Sequence, residues 1–208
     1  PNQGRALIYN DQAGKWETNL NGGNLGLGSN EYGVLLTTGK TEVAFGPNNT
    51  ASATNQSSVP LPVEDDADLQ ILAGLGNPVR NISILEFDFV AKGYSVSFDY
   101  VFGSEEYPEY YDSPYNDAFG FFLSGNGIAG GKGFINNAVN LAVIPVTDHD
   151  DNYNVTISNV NHVWNKNYYT GNGDGDTPNV NTFIQYDGFT KLLTAKYVGL
   201  ICGETYHI

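Results

Sequence analysis

Residues 98–124 read FDYVFGSEEYPEYYDSPYNDAFGFFLS, and the predicted fold is organised around this stretch. The alternation of Phe98, Tyr100 and Phe102 predicts one strand, and the apolar run 118–123 predicts a second. Between them lies a long acidic and tyrosine-rich segment, residues 104–117, which we call the crossing. A strand, a long polar loop and another strand indicate a β protein whose loops carry its chemistry.

The crossing contains five carboxylates and neither Lys nor Arg. Carboxylates at this density repel one another unless they are fully solvated or share a cation. Calcium binds several carboxylate and amide oxygens at once, so we predict a calcium site here. Its candidate ligands are Glu105, Glu106, Glu109, Asn116 and Asp117. The alternative is a solvated acidic loop capped by hydrogen bonds.

The first two of these residues are not expected to bind the cation directly together. Glu105 and Glu106 are adjacent, and neighbouring side chains of an extended chain point to opposite faces. We therefore expect only one of them to be an inner ligand.

Composition favours one all-β domain. The chain has 208 residues, with 25 Gly, 14 Tyr, 11 Phe and no Met, which is typical of many short strands joined by tight turns. We predict a single antiparallel β-sandwich over residues 1–208, with jelly-roll-like connectivity. The predicted strands are 6–9, 33–38, 43–45, 82–90, 95–102, 118–123, 139–146, 155–163, 183–186, 191–197 and 205–208.

One short helix is predicted near residues 65–75, where the sequence reads DDADLQILAGL. Asp65 or Asp66 can cap its first turn, and a glycine at its end can close the last. The acids then suit the positive end of the helix dipole. The functional alternative is that Asp66 and Asp68 bind the same cation as the crossing.

Charge and apolar run length exclude two classes of partner. The net charge of −14 opposes binding to the phosphate backbone, so we expect no nucleic-acid partner. No apolar run approaches the roughly 20 residues of a spanning helix, so we expect no direct membrane insertion. Cys202 is the single cysteine, which excludes an intrachain disulfide. We expect it to be a buried thiol, with an intermolecular bridge as the alternative.

Four tyrosines of the crossing form a candidate ligand-binding surface: Tyr107, Tyr110, Tyr111 and Tyr115. Tyrosine combines a flat apolar face with a polar tip, which suits stacking on sugars or contact with a protein partner. Core packing is the alternative for the same rings.

A second, weaker metal loop is predicted in the sequence GNGDGDTPNVN, residues 171–181. Asn172, Asp174 and Asp176 are spaced two apart, as in Asp/Asn calcium loops. No downstream bidentate Glu completes an EF-hand, so a plain Gly-Asp turn is the alternative.

Catalysis is not expected. His149, His162 and His207 are scattered and lack the spacing of metal ligands. The sequence contains no nucleophile elbow and no phosphate-binding loop.

Several segments together resemble the bacterial choice-of-anchor L domain family. They are FGSEEYPEYYDSPYNDAFGFFLSG, NLAVIP, NVNH, IQYDGFTKLLTA and CGETYHI, with LGLGSNEYGVLLTTGKTEVAFGPN and DDADLQILAG upstream. The resemblance covers nearly the whole chain. Members of the family usually continue past the TYHI segment through another strand pair. The end at Ile208 therefore predicts either a truncated chain or a fold edge that another chain fills.

The resemblance implies an extracellular protein, secreted or attached to the bacterial cell surface through a signal outside these residues. We expect a non-catalytic adhesion or structural module stabilised by calcium, with a surface glycan or a protein as its ligand. One alternative is a calcium-dependent, lectin-like glycan-binding module. Another is a polymerising surface subunit completed by a strand from a neighbouring copy of itself.

Overall fold

The structure is a computed structural model that describes residues 6–7, 13–17, 32–50, 66–74, 79–145, 153–173 and 184–208. The strands in these ranges are β1 Ala6–Leu7, β2 Ala13–Glu17, β3 Tyr32–Leu36, β4 Ile84–Leu85, β5 Asp88–Val90, β6 Ser95–Tyr100, β7 Gly103–Ser104, β8 Ala118–Phe119, β9 Phe122–Gly125, β10 Val139–Asn140, β11 Val143–Ile144, β12 Tyr153–Thr156, β13 Tyr169–Gly171, β14 Gly188–Thr190, β15 Leu193–Val198 and β16 Thr205–His207. The described helices are α1 Ala67–Ala73 and the 3-10 turns Thr41–Ala44, Ile135–Asn137 and Lys166–Tyr168.

All of the strand pairs in these ranges are antiparallel. The longest pair joins β6 to β15, with Ser95 opposite Val198 and Tyr100 opposite Leu193. A four-stranded sheet has the order β10-β9-β16-β5, and two three-stranded sheets have the orders β11-β12-β8 and β13-β14-β7. The strand pairs β1-β4 and β2-β3 complete the described set. The predicted all-β fold is therefore confirmed, and the described residues contain one α-helix, as predicted.

The core joins the strand before the crossing to the strands after it. Along β6, Phe98 and Tyr100 turn inward while Ser97 and Asp99 are exposed, as the alternation predicts. The Phe98 ring stacks on Phe121 at 5.1 Å, and the Tyr100 ring lies 4.9 Å from Phe119. Buried aromatic rings are large contributors to core stability, so these contacts fix both ends of the crossing.

The predicted helix and its caps are confirmed. The Asp66 carboxylate accepts a hydrogen bond from the Leu69 amide at 2.8 Å, which satisfies a free N–H of the first turn. Gly74 ends the helix with φ of 67°, a left-handed conformation that glycine adopts without strain. The helix residues Leu72 and Ala73 are buried.

Six predicted strands are wrong in part. The predicted strands 82–90, 118–123 and 139–146 are each divided into two short strands. In the predicted strand 43–45, Val43 and Ala44 belong to the 3-10 turn and Phe45 forms an isolated bridge with Ile184. This bridge is also the sole strand-like contact in the described part of the predicted strand 183–186. Predicted strand 155–163 ends at Thr156. The Asn161 side chain explains this end, because it donates to the Ile157 carbonyl and accepts from two later amides, stabilising turns.

Two further observations concern the surface. Cys202 is exposed on the turn between β15 and β16, so the expectation of a buried thiol is wrong. No helix in the ranges described above is long and apolar enough to cross a membrane.

Candidate functional site

The crossing starts from a small glycine-rich sheet, β13-β14-β7. Gly188 in β14 pairs with Ser104 in β7. A Cβ added at Gly188 would lie 2.7 Å from the Tyr169 ring and 2.9 Å from Cβ of Tyr107. Only glycine leaves room for both tyrosines, so this position sets how closely the crossing packs on the sheet.

Tyr107 anchors the crossing in the core. Its side chain is fully buried, and its hydroxyl donates a hydrogen bond to the Val160 carbonyl. Its ring lies 4.9 Å from that of Tyr169. An external ligand does not reach a fully buried ring, so the predicted surface role is wrong for Tyr107. The contact with Val160 instead ties the crossing to the loop after β12.

Glu105 is the most unusual group in the crossing. Both of its carboxylate oxygens are buried, and neither has a hydrogen-bond partner in the described part of the chain. Burial, together with repulsion from Asp187 and then from Glu106 and Glu109, raises its pKa from 4.5 to about 8. An ionised Glu105 would therefore be strongly unfavourable here without a counter-charge.

The Gln185 amide lies beside Glu105 and favours the charged form, which partly opposes these effects. Its nitrogen, however, donates to Oδ1 of Asn48 at 3.0 Å and to the Thr50 carbonyl at 3.4 Å. These two bonds direct the Gln185 nitrogen to acceptors other than Glu105.

Asp187 is the site residue that the sequence did not identify. It is only 1% exposed, and its Oδ1 accepts a hydrogen bond from the side-chain amide of Asn48. Its backbone carbonyl accepts from the Asn172 amide at 2.7 Å. In the sequence, Asp187 stands before Gly188 and resembles an ordinary turn residue, so no local signal indicated it.

Ser104 links two more acids of the crossing. Its hydroxyl donates to Oδ2 of Asp117 at 2.7 Å and accepts from the Glu106 amide at 2.9 Å. Burial raises the pKa of Asp117, and the Ser104 bond opposes this rise. Burial, with repulsion from Asp117 and Glu109, also raises the pKa of Glu106. Asp117 is nevertheless an exposed residue, so solvent reaches part of its side chain.

Three other predicted ligands have structural partners elsewhere. The side-chain nitrogen of Asn116 donates to the Ala73 carbonyl at 2.7 Å, and its side-chain oxygen accepts from the Ser158 backbone amide at 3.2 Å. Asp68 accepts from the Ile135 amide at 2.8 Å, and Asp66 caps α1 as described above. These contacts join the helix to the loops around it.

The weak second metal loop is described only in part. Asn172 is fully buried, and its side-chain nitrogen donates to the carbonyls of Ile184 and Tyr186, both at 3.0 Å. Asp174 and Asp176 lie outside the described residues. Asn172 therefore holds the chain segment that carries Gln185 and Asp187.

The outer part of the crossing presents aromatic rings to solvent. Tyr110 is 43% exposed and Tyr115 is 64% exposed, and their rings meet edge to face with centroids 5.5 Å apart and planes 87° apart. Tyr111 packs edge to face on His162 at 4.8 Å. The exposed side chain of Trp164 follows on the same loop. Tyr110, Tyr111 and Tyr115 therefore remain candidates for contact with a partner.

The donor set limits which cation could bind. Within the described ranges, no group of three or more His, Cys, Asp or Glu residues is arranged to hold a metal ion. Calcium also takes neutral oxygen ligands from amides, hydroxyls and carbonyls. A site built on Glu105, Asp187 and the amide oxygen of Gln185 would need only two carboxylates.

Comparison with known proteins identifies one family. The model of the choice-of-anchor L domain matches residues 4–208. No curated protein and no solved structure matches the chain significantly. Because the match spans nearly every residue, the chain belongs to the choice-of-anchor L domain family.

Proposed function

We propose that this chain is a non-catalytic adhesion module of a bacterial surface protein, in which calcium stabilises the crossing. Membership of the choice-of-anchor L family suggests a bacterial secreted or surface protein. The bound cation would hold the crossing against the core and so fix the orientation of its exposed tyrosines.

The observation that supports calcium is the buried Glu105 carboxylate, which has no hydrogen-bond partner among the described residues. A buried carboxylate without compensation costs several kcal/mol, so the group must either keep its proton or pair with a positive charge. The charged groups that act on it are acids, and no Lys or Arg occurs in the crossing. A divalent cation would neutralise Glu105 and Asp187 together.

The surrounding polar groups support a hard cation. Asn48 and Asn172 hold the segment that carries Asp187 and Gln185, so two oxygen donors are already positioned on a packed frame. Asp117 and Glu106 are held on the Ser104 side and lie outside this donor set. Oxygen donors of this kind favour calcium over softer metals.

The direct test is thermal unfolding of the metal-stripped protein with and without calcium. Binding to the native state alone stabilises it by about 2.7 kcal/mol at one hundred times the dissociation constant. For a domain of this size that corresponds to a rise of roughly 5–10 °C in Tm. We expect Asp187→Asn to lose most of this rise.

Glu204→Gln is the matched control, because Glu204 is exposed on the turn between β15 and β16. It should keep the full calcium-dependent rise. An equal calcium-dependent rise in Tm for wild type and Asp187→Asn would show that calcium does not bind at this site. No rise at any calcium concentration would refute the calcium part of the proposal.

A further inference from the structure

The exposed rings of Tyr110 and Tyr115 meet at nearly a right angle, and we call this pair the corner. Tyr110 and Tyr115 are held with their planes 87° apart and their centroids 5.5 Å apart, so one ring stands upright on the face of the other. A sugar ring stacks flat on one aromatic face, whereas two faces at a right angle enclose a compact positive charge from two sides. The geometry therefore favours a cation over a flat sugar.

The corner is flanked by exposed negative charge. Glu109 precedes Tyr110 directly and Asp112 follows it by two residues, and both acids are exposed. Glu109 is also close enough to Glu105 and Glu106 to raise the pKa of each. The negative field of the buried acids thus continues to the surface at this position.

The charge of the whole chain points to the same kind of partner. The net charge is −14, and the crossing contains no Lys or Arg. Such a surface repels a second copy of this chain and other acidic partners, and it attracts basic ones. Calcium at Glu105 and Asp187 would leave Glu109 and Asp112 available.

Hydrogen bonds and ring contacts hold the backbone next to the corner in place. The Tyr110 amide donates to the Glu106 carbonyl at 3.0 Å, and Tyr107 is fixed in the core through Val160. Tyr111 packs on His162 of the neighbouring loop. These contacts order the backbone around the corner before any partner binds, which lowers the entropic cost of binding.

We propose that the corner of Tyr110 and Tyr115, flanked by Glu109 and Asp112, binds Lys or Arg side chains of a basic protein segment. The inference rests on the proposed adhesive function and names the chemistry of its partner. Each cation would contact the ring faces while the carboxylates neutralise its charge.

The test is fluorescence anisotropy with a fluorescein-labelled peptide of ten lysines and the calcium-saturated full chain. We expect saturable binding that weakens as salt rises. The double variant Tyr110→Leu/Tyr115→Leu should bind about tenfold more weakly, because the cation–π contacts are lost. Tyr110→Phe/Tyr115→Phe keeps both ring faces and should bind within twofold of wild type.

Two controls separate the corner from bulk charge. Tyr94→Leu removes an exposed tyrosine on the turn between β5 and β6, and Glu204→Gln removes an exposed acid on the turn between β15 and β16. Both should leave binding unchanged. Glu109→Gln/Asp112→Asn should weaken binding and flatten its salt dependence. Equal binding by wild type and the double Leu variant would overturn the inference.

Two other outcomes also overturn it. One is failure of the peptide to bind, and the other is retention of the chain on immobilised neutral dextran with loss in the double Leu variant. Calcium-dependent Tm is measured on the same samples and reports on the proposed calcium site separately. If calcium raises Tm as expected but the peptide does not bind, the proposed basic partner is refuted and the proposed calcium site is not.

Discussion

Glu105→Gln tests the buried carboxyl directly. Glutamine keeps the shape of glutamate but cannot ionise. Burial and the neighbouring acids raise the pKa of Glu105 from 4.5 to about 8 in the folded protein. Below pH 4.5 the folded and unfolded chains both hold the proton, so the stabilising contribution of the raised pKa is fully present. As pH rises through about 8 this contribution is lost, because the folded chain must also ionise.

The size of the effect follows from the pKa. A rise from 4.5 to about 8 corresponds to roughly 5 kcal/mol at 1.36 kcal/mol per pH unit. Part of the side chain remains accessible, and screening by solvent reduces this to about 2–3 kcal/mol. In the metal-free protein at pH 9, Glu105→Gln should therefore be more stable than wild type by about 2–3 kcal/mol. At pH 5 the two should be nearly equal.

The assay is urea unfolding of both proteins in chelator at pH 5, 7 and 9, with Glu204→Gln as the control of an exposed acid. The raised pKa of Asp117, which is not among the groups that shift Glu105, contributes to both proteins and cancels in the difference. Calcium should stabilise wild type at pH 9 and leave Glu105→Gln unchanged. Parallel pH profiles for wild type and variant would refute the assignment of a buried, uncompensated carboxyl.

Two further predictions concern the frame of the site. Tyr107→Phe should destabilise the protein by about 1–2 kcal/mol in urea unfolding, because the buried Val160 carbonyl loses its hydrogen-bond donor; an unchanged midpoint would contradict this role. Gly188→Ala should cost about 1–3 kcal/mol, because the new Cβ would overlap the Tyr169 ring, whereas Gly93→Ala meets no atom within 4 Å and should be nearly neutral. Equal stability of the two alanine variants would show that the sheet and the crossing can separate at low cost.

The sequence predicted the elements that depend on local pattern. The strand containing Phe98 and Tyr100 is present because alternation places every second side chain on the core. Helix α1 begins after Asp66 and ends at Gly74, as the capping residues indicate. The strand predicted over 155–163 was too long, because periodicity does not reveal that the Asn161 side chain hydrogen-bonds to the backbone of a turn.

The sheet beneath the site could not be predicted in this way. Strands β7 and β14 are short and contain Gly103 and Gly188, so they carry no alternating apolar pattern. Their glycines are required by close contacts with tyrosine side chains from elsewhere in the chain. Such contacts arise only when distant segments meet.

By itself, the sequence determined that this is an all-β chain of strongly negative charge, with an acidic crossing and a resemblance to one family. These properties depend on composition, on local periodicity and on a long motif. The tertiary structure decided which acid is buried. It brought Asp187 and Gln185 to Glu105, placed Tyr107 in the core and left Tyr110 and Tyr115 outside. Burial and electrostatic repulsion depend on distances between remote segments, and the order of residues does not specify those distances.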